Sequence, residues 1–105
     1  MALGLEGMGR FSEPALLVLL SLAEANRHGY ALMEDIKVSY GVAMGPGTLY
    51  GALARLEERG LIRPLPPHDR RRPYGLTPAG ASALRSQLQT LQAVVEQGLR
   101  RLPSW

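Results

Sequence analysis

Residues 45–60 constrain the fold most, because their sequence marks both the start and the end of one short helix. Pro46 suits the first helical position, where the backbone amide has no intrahelical acceptor. Gly60 suits a left-handed residue that closes the last turn. Apolar residues at helical spacing between them predict one buried stripe, which leaves the other faces available to a partner. The stripe consists of Leu49, Leu53 and Leu56.

Two further helices are predicted before this segment. Ser12 can cap the first, whose leucine-rich sequence over residues 15–23 is apolar nearly all round and predicts a central, buried helix. After a polar turn at residues 25–28, the second helix is predicted from Gly29 to Gly41. The inner face of this second helix is expected to hold Leu32, Met33, Ile36 and Tyr40. Two short helices followed by an amphipathic third is the order of a helix-turn-helix.

A basic hairpin is predicted after the third helix. Two short strands are expected at residues 61–65 and 74–76, with a proline pair that ends the first strand. Pro73 fits a two-stranded edge ribbon, where its missing amide hydrogen needs no partner. The loop between the strands carries Arg70, Arg71 and Arg72.

The last helix, which Thr77 is expected to cap and Pro78 to begin, carries a heptad pattern from Ala81 to Leu102. A helix of about 25 residues reaches roughly 37 Å, which is further than a domain of this size can cover. We therefore expect a homodimer along this seam, with packing on the chain's own first helix as the alternative. The residues assigned to the dimer contact are Leu84, Leu88, Leu91, Val95 and Leu102.

Composition excludes several classes of protein. The 105 residues include no cysteine and two histidines, so we expect no disulfide, no metal site and no cofactor. The sequence holds no Ser/His/Asp set, phosphate loop or metal-ligand cluster, so we expect no catalytic residue and no enzyme. The first apolar run is too short to span a bilayer and lacks the basic start of a signal peptide, which predicts a cytoplasmic protein without membrane contact.

Positive charge is concentrated after the third helix. Residues 1–60 carry five basic and seven acidic side chains, whereas residues 61–77 carry four arginines and one acidic residue. An acidic body with a basic hairpin indicates a local contact with an anionic partner. Charge alone leaves open that the arginines at positions 70–72 only solubilise a loop.

Several motifs together resemble the PadR family of transcriptional regulators over about residues 11–84. They are His-Gly-Tyr at 28–30, Gly-Pro-Gly-Thr-Leu-Tyr at 45–50, Leu-Glu-Glu-Arg-Gly-Leu-Ile at 56–62 and Tyr-Gly-Leu-Thr-Pro-Ala-Gly at 74–80. The resemblance implies a mainly α (α+β) winged helix-turn-helix at residues 11–77, with a two-stranded wing, and a long dimerisation helix at 78–102. It also implies a dimeric repressor that binds a palindromic operator in double-stranded DNA.

The residues expected to contact DNA lie at the start of the third helix and in the wing. The helix start offers amides and the Thr48 hydroxyl to a phosphate or a base edge, and the wing offers guanidinium groups suited to phosphate. The set is Pro46, Gly47, Thr48, Tyr50, Arg55, Arg70, Arg71 and Arg72. Two roles stay open for Tyr50, a hydrogen bond to a phosphate and packing against the wing. His28 and Tyr30 are assigned structural roles.

One other function class stays open. A winged helix can serve as a protein-interaction module without binding DNA, since a fold alone does not fix a function. Such a module would carry exposed apolar residues on its wing, whereas this wing carries three arginines. No sequence feature identifies a small-molecule effector.

Overall fold

The computed structural model describes residues 12–105, which form four helices and three short strands. In chain order these are α1 (Ser12–Glu24), β1 (Arg27–His28), α2 (Gly29–Tyr40), α3 (Pro46–Glu58), β2 (Ile62–Pro64), β3 (Pro73–Leu76) and α4 (Pro78–Arg101). The predicted domain start at residue 11 and the predicted cap by the Ser12 side chain lie outside what the structure describes. The winged helix-turn-helix order expected from the sequence is confirmed.

α1 is the central helix of the protomer, as predicted. Ala15, Val18 and Leu19 are completely buried, and α1 contacts α2, α3, α4 and β3. An all-round apolar helix of this kind can only be accommodated when other elements cover every side of it.

α2 buries Leu32 and Ile36 but not Tyr40, which is 44% exposed. The predicted inner position of Tyr40 is wrong, because it is the last helical residue before the left-handed turn at Gly41 (φ 69°). The chain changes direction at that turn and returns to the core at Met44, so the Tyr40 side chain at the helix end stays partly in solvent.

α3 begins and ends where the sequence predicts. Its stripe of Leu49, Leu53 and Leu56 is buried. Gly60 has a φ of 73°, its amide donates to the Glu57 carbonyl oxygen at 3.0 Å, and the Leu61 amide donates to the Leu56 carbonyl oxygen at 3.0 Å. These two hydrogen bonds form a Schellman motif, which closes the helix end.

The described part of the chain forms one antiparallel sheet of three strands in the order β1-β3-β2. β2 and β3 are the two strands of the predicted wing, with Ile62 opposite Leu76. The expectation of a two-stranded edge ribbon is corrected by β1, which pairs Arg27 with Tyr74 and His28 with Pro73. β1 was predicted as a polar turn because two polar residues show no strand periodicity.

The end of α3 is bonded directly to the start of α4. Thr77 caps α4 by accepting a hydrogen bond from the Gly80 amide at 3.0 Å, and its hydroxyl donates to the Gly60 carbonyl oxygen at 2.7 Å. The Thr77 amide donates to the Leu61 carbonyl oxygen at 3.1 Å. We refer to Gly60, Leu61, Thr77 and Gly80 as the α3–α4 joint.

α4 leaves the domain part of the way along its length. Leu84 is buried in the protomer's own core, so the assignment of Leu84 to a dimer contact is corrected: its burial needs no partner, because α4 packs on α1 at this level. The apolar residues beyond it are exposed. They are Leu88, Leu91, Val94, Val95, Leu99 and Leu102.

Candidate nucleic-acid interface

The start of α3 presents backbone amides to the surface. The first four amides of a helix have no intrahelical acceptor, and Gly45, the residue before the helix, makes no side-chain cap. Pro46, Gly47 and Thr48 are all exposed. The positive end of the helix dipole therefore meets solvent together with the Thr48 hydroxyl.

Thr48 and Arg55 lie on one face of α3. They are seven residues apart, which is two helical turns, and both are exposed. Arg55 lines a shallow depression of about 330 Å³ together with Gly51, Ala54 and Glu58. This face is separate from the buried leucine stripe, as the sequence predicts.

The tip of the wing is a tight two-residue turn. His68 and Arg71 exchange backbone hydrogen bonds of 2.8 and 2.9 Å, and Asp69 and Arg70 between them have φ values of 50° and 63°. Positive φ at both central residues defines a type I′ turn, which usually holds Asn, Asp or Gly. An arginine in the left-handed region costs about 1–2 kcal/mol relative to glycine, and it places a guanidinium at the tip.

A cleft of about 240 Å³ lies between the wing and the starts of α2 and α3. We call it the arginine cleft. It brings together four residues that the sequence assigns to DNA contact, Tyr50 from α3 and three arginines from the wing. Its full lining is His28, Gly29, Tyr30, Tyr50, Arg70, Arg71, Arg72 and Tyr74. Three guanidinium groups around one concave surface favour an anionic partner.

Tyr50 spans the cleft from α3 to α2. A Cβ atom added to Gly29 would lie 2.5 Å from the Tyr50 hydroxyl, so the phenol packs over bare backbone at the start of α2. The side chain is still 52% exposed. Both alternatives for Tyr50 are therefore compatible with its position, since it packs in the cleft and keeps exposed surface there.

Tyr74 forms the inner wall of the cleft. Burial raises the pKa of its phenol, the charge of Glu57 and the neighbouring Tyr50 raise it further, and the Arg72 guanidinium opposes them. Tyr74 therefore stays neutral at physiological pH, and its hydroxyl keeps its proton as a possible hydrogen-bond donor.

His28 joins α2 to the wing. Its Nδ1 accepts a hydrogen bond from the Ala31 amide at 3.3 Å and so caps α2. Its Nε2 lies 3.2 Å from Nη1 of Arg71. The cap confirms the structural role predicted for His28. Because a neutral imidazole has one acceptor nitrogen and Nδ1 already accepts, the approach of Arg71 to Nε2 is a close contact between the wing and β1 rather than a second hydrogen bond accepted by His28.

A polar cluster fixes β1, the strand on which the wing pairs. The Ser21 hydroxyl donates to Asp35 Oδ2 at 2.6 Å, Ser39 donates to Oδ1 at 3.0 Å, and Arg27 lies 3.7 Å from the same carboxylate. The Ser21 hydrogen bond is the main cause of a lowered Asp35 pKa; burial opposes it, and Ser39 and Arg27 lower the pKa further. The ionised carboxylate thus holds α1, β1 and α2 together.

Tyr30 is a cleft residue that the sequence reasoning missed. Its predicted structural role in the core is wrong, because its side chain is 61% exposed and lines the arginine cleft. The helical phase contained the signal: Tyr30 lies two residues before buried Leu32, which places it about 200° around the helix axis.

Metal sites and membrane-spanning helices are both absent from residues 12–105. No group of His, Asp or Glu side chains there is arranged to hold a metal ion. None of the helices described there combines the length and the apolar character needed to cross a membrane.

Comparison with known proteins identifies a family and close relatives in sequence. The profile of the Transcriptional regulator PadR-like family matches residues 18–86. The chain is 33% identical over 87 residues to the transcriptional regulator Rv3488 of Mycobacterium tuberculosis, covering 80% of each protein. It is 45% identical over 82 residues to an uncharacterised 37.1 kDa protein in transposon Tn4556 of Streptomyces fradiae. That match covers 78% of this chain and 24% of the transposon protein, so the chain spans about a quarter of its length.

Solved structures share the same architecture. A PadR-like transcription factor from Bacteroides fragilis superposes with a TM-score of 0.79 at 20% identity, covering 92% of this chain and 97% of that one. A PadR family regulator from Clostridium difficile superposes with a TM-score of 0.70 at 24% identity, covering 82% and 97%. At these identities the likeness establishes the winged helix fold.

Proposed function

Because the chain belongs to the PadR-like family of transcriptional regulators, we propose that it binds a palindromic operator in double-stranded DNA as a homodimer and represses transcription. Members of this family are regulators rather than enzymes, and we place the protein in the cytoplasm. The observation that carries the proposal is the arginine cleft, where three wing arginines lie next to the start of α3. Phosphate contacts of this kind supply most of the affinity of proteins for DNA.

α3 is proposed to read the sequence in the major groove, with its exposed face of Thr48 and Arg55 toward the bases and phosphates. The wing arginines are proposed to contact phosphates or the adjacent minor groove. The full set of proposed contacts is Pro46, Gly47, Thr48, Tyr50, Arg55, Arg70, Arg71 and Arg72. No small-molecule effector is part of this proposal.

The exposed apolar row of α4 supports the homodimer. Leu88 to Leu102 span about 21 Å of helix, and contiguous apolar patches on a small protein typically mark an interaction site. A two-fold dimer would present two copies of α3, which matches a palindromic operator. The proposed dimer residues are Leu88, Leu91, Val95 and Leu102, all exposed on α4 or at its C-terminal end.

Charge placement favours DNA over a protein partner for the wing. The wing tip and the arginine cleft expose guanidinium groups and phenols, whereas the exposed aliphatic row lies on α4. A wing that binds another protein would be expected to carry exposed aliphatic residues of its own.

The DNA-binding proposal is tested by selecting bound sequences from a random duplex library and then measuring the salt dependence of binding. Each phosphate contact contributes about −0.9 to the slope of log affinity against log salt concentration. Changing Arg70, Arg71 and Arg72 to Ala should flatten the slope by roughly 2–5 units in the dimer.

The matched control removes three positive charges from a surface outside the arginine cleft. Changing Arg85, Arg100 and Arg101 to Ala takes three exposed guanidinium groups from α4, and we expect it to change the slope by less than about 1 unit. Equal effects in the two triple variants would show that net charge, and not the cleft, drives binding.

The dimer is tested by sedimentation of a variant with Leu88→Asp and Leu91→Asp, which places two charges in the apolar row. We expect a monomer or an aggregate. Val38→Asp is the control, because Val38 is an exposed apolar residue on α2 and lies outside α4. A well-folded dimer in the Leu88 and Leu91 variant would refute this assignment.

A further inference from the structure

We propose that Tyr30 is a further DNA contact, whose phenol hydroxyl donates a hydrogen bond to a backbone phosphate held in the arginine cleft. This inference rests on the proposed function, because it adds a binding residue to the same site. It assigns Tyr30 a role in recognition and not in the core.

The exposure of Tyr30 argues against a structural role. It is the most exposed of the four tyrosines at 61%, and tyrosine is on average a partly buried residue whose ring supplies contact area to a core or an interface. A ring that is mostly in solvent contributes little to the free energy of folding through burial.

The surroundings of Tyr30 point to an anion. It lines the arginine cleft with all three wing arginines, and the Tyr50 hydroxyl lies over the neighbouring Gly29. Phenols from α2 and α3 and guanidinium groups from the wing therefore meet around one concave surface. A phosphate group accepts several hydrogen bonds at once, and tyrosine hydroxyls and arginines are both common donors to it.

The position of Tyr30 in the fold favours phosphate over a base edge. Tyr30 lies in the first turn of α2, which precedes α3 in the helix-turn-helix. In this motif the first helix crosses the DNA backbone while the second enters the major groove. A contact from α2 therefore fixes the position of α3 on the duplex without reading its sequence.

The test is Tyr30→Phe, which removes one hydroxyl and keeps the ring. Affinity for the selected operator should fall on the order of tenfold per half-site, because a hydrogen bond to a charged group is lost. The fall should be similar for all operator variants, and the salt slope should be unchanged because tyrosine carries no positive charge.

Tyr40→Phe is the matched control. Tyr40 is an exposed tyrosine at the opposite end of α2 and does not line the arginine cleft, so its loss of a hydroxyl should leave affinity unchanged. Thermal unfolding of both variants should match the wild type.

The outcomes separate this inference from the proposed function. If Tyr30→Phe binds like the wild type while the wing arginine variant loses binding, Tyr30 is not a contact and the proposed function stands. If the wild type selects no duplex sequence, the proposed function itself is refuted. Equal losses in the Tyr30 and Tyr40 variants, or a changed base preference in Tyr30→Phe, would also overturn the assignment of a phosphate contact.

Discussion

Replacing Gly80 with Ala is expected to disrupt the α3–α4 joint. A Cβ atom at Gly80 would lie 2.0 Å from the Leu61 carbonyl oxygen and 2.8 Å from Leu76 Cδ1. The leucine side chain can rotate away, but the carbonyl cannot move freely, because Leu61 is bonded at its carbonyl to the Thr77 amide and at its amide to the Leu56 carbonyl. Relief of the overlap therefore requires α4 to move away from α3.

The expected net loss is about 2 kcal/mol of unfolding free energy. Overpacking a tight site costs about 1–3 kcal/mol and occasionally more, and fixed backbone on the far side puts this site at the upper end. Replacing a helical glycine with alanine returns about 0.5–1 kcal/mol through the unfolded chain. Gly51→Ala is the control, because Gly51 lies within α3 and an added Cβ there meets no atom within 4 Å. This variant should be stabilised by about 0.5–1 kcal/mol.

The assay is urea unfolding of the three proteins at one fixed protein concentration, since the proposed dimer would make the measured stability depend on concentration. A loss of about 2 kcal/mol corresponds to a Tm lower by roughly 8–16 °C for a domain of this size. If Gly80→Ala is as stable as Gly51→Ala, the close approach at the joint does not exist in solution and the reasoning fails.

Three other perturbations separate stability from binding. The ionised Asp35 stabilises the fold above its unfolded-state pKa, and this contribution is lost as pH falls through its lowered folded-state pKa. Asp35→Asn should therefore lower the free energy of unfolding at neutral pH and make it fall less on acidification, as measured by urea unfolding at several pH values. Arg70→Gly should relieve the backbone strain of the left-handed residue and raise the free energy of unfolding by about 1 kcal/mol, yet weaken DNA binding. A less stable variant would contradict the inference that Arg70 is strained. Thr48→Ala should weaken operator binding at unchanged Tm. Leu53→Ala should instead cost about 2–5 kcal/mol of stability and bind normally per folded molecule. If Thr48→Ala binds normally while Leu53→Ala stays defective per folded molecule, α3 is excluded from recognition.

The helix boundaries were predictable because single residues mark them. Pro46 and Gly60 for α3, Gly41 for α2 and Thr77 for α4 each satisfy a backbone requirement that few other residue types meet. The buried leucine stripe of α3 followed from its period alone. These features are local, so neighbouring residues are sufficient to specify them.

The features that the sequence did not show depend on neighbours distant in the chain. β1 exists only because β3 lies beside it, since Arg27 and His28 have no strand pattern of their own. Leu84 continues the heptad pattern but lies where α1 still covers α4. Leu99 is exposed with the apolar residues of α4, although the alternating heptad pattern passes through Gly98. It lies eleven residues after Leu88, which is about three turns, and so lies on the same side of the helix.

The α3–α4 joint, together with the packing of α3 and α4 on α1, ties the orientation of α3 to that of α4. α3 is about 20 Å long. The end that is proposed to enter the groove is the end furthest from the α3–α4 joint. A rotation of α4 by about 10° that carried the joint with it would swing this end by roughly 3.5 Å, close to the 3.4 Å rise of one base step. In the proposed dimer, small changes in the crossing angle of the two α4 helices would thus change the distance between the two α3 helices by about one base step.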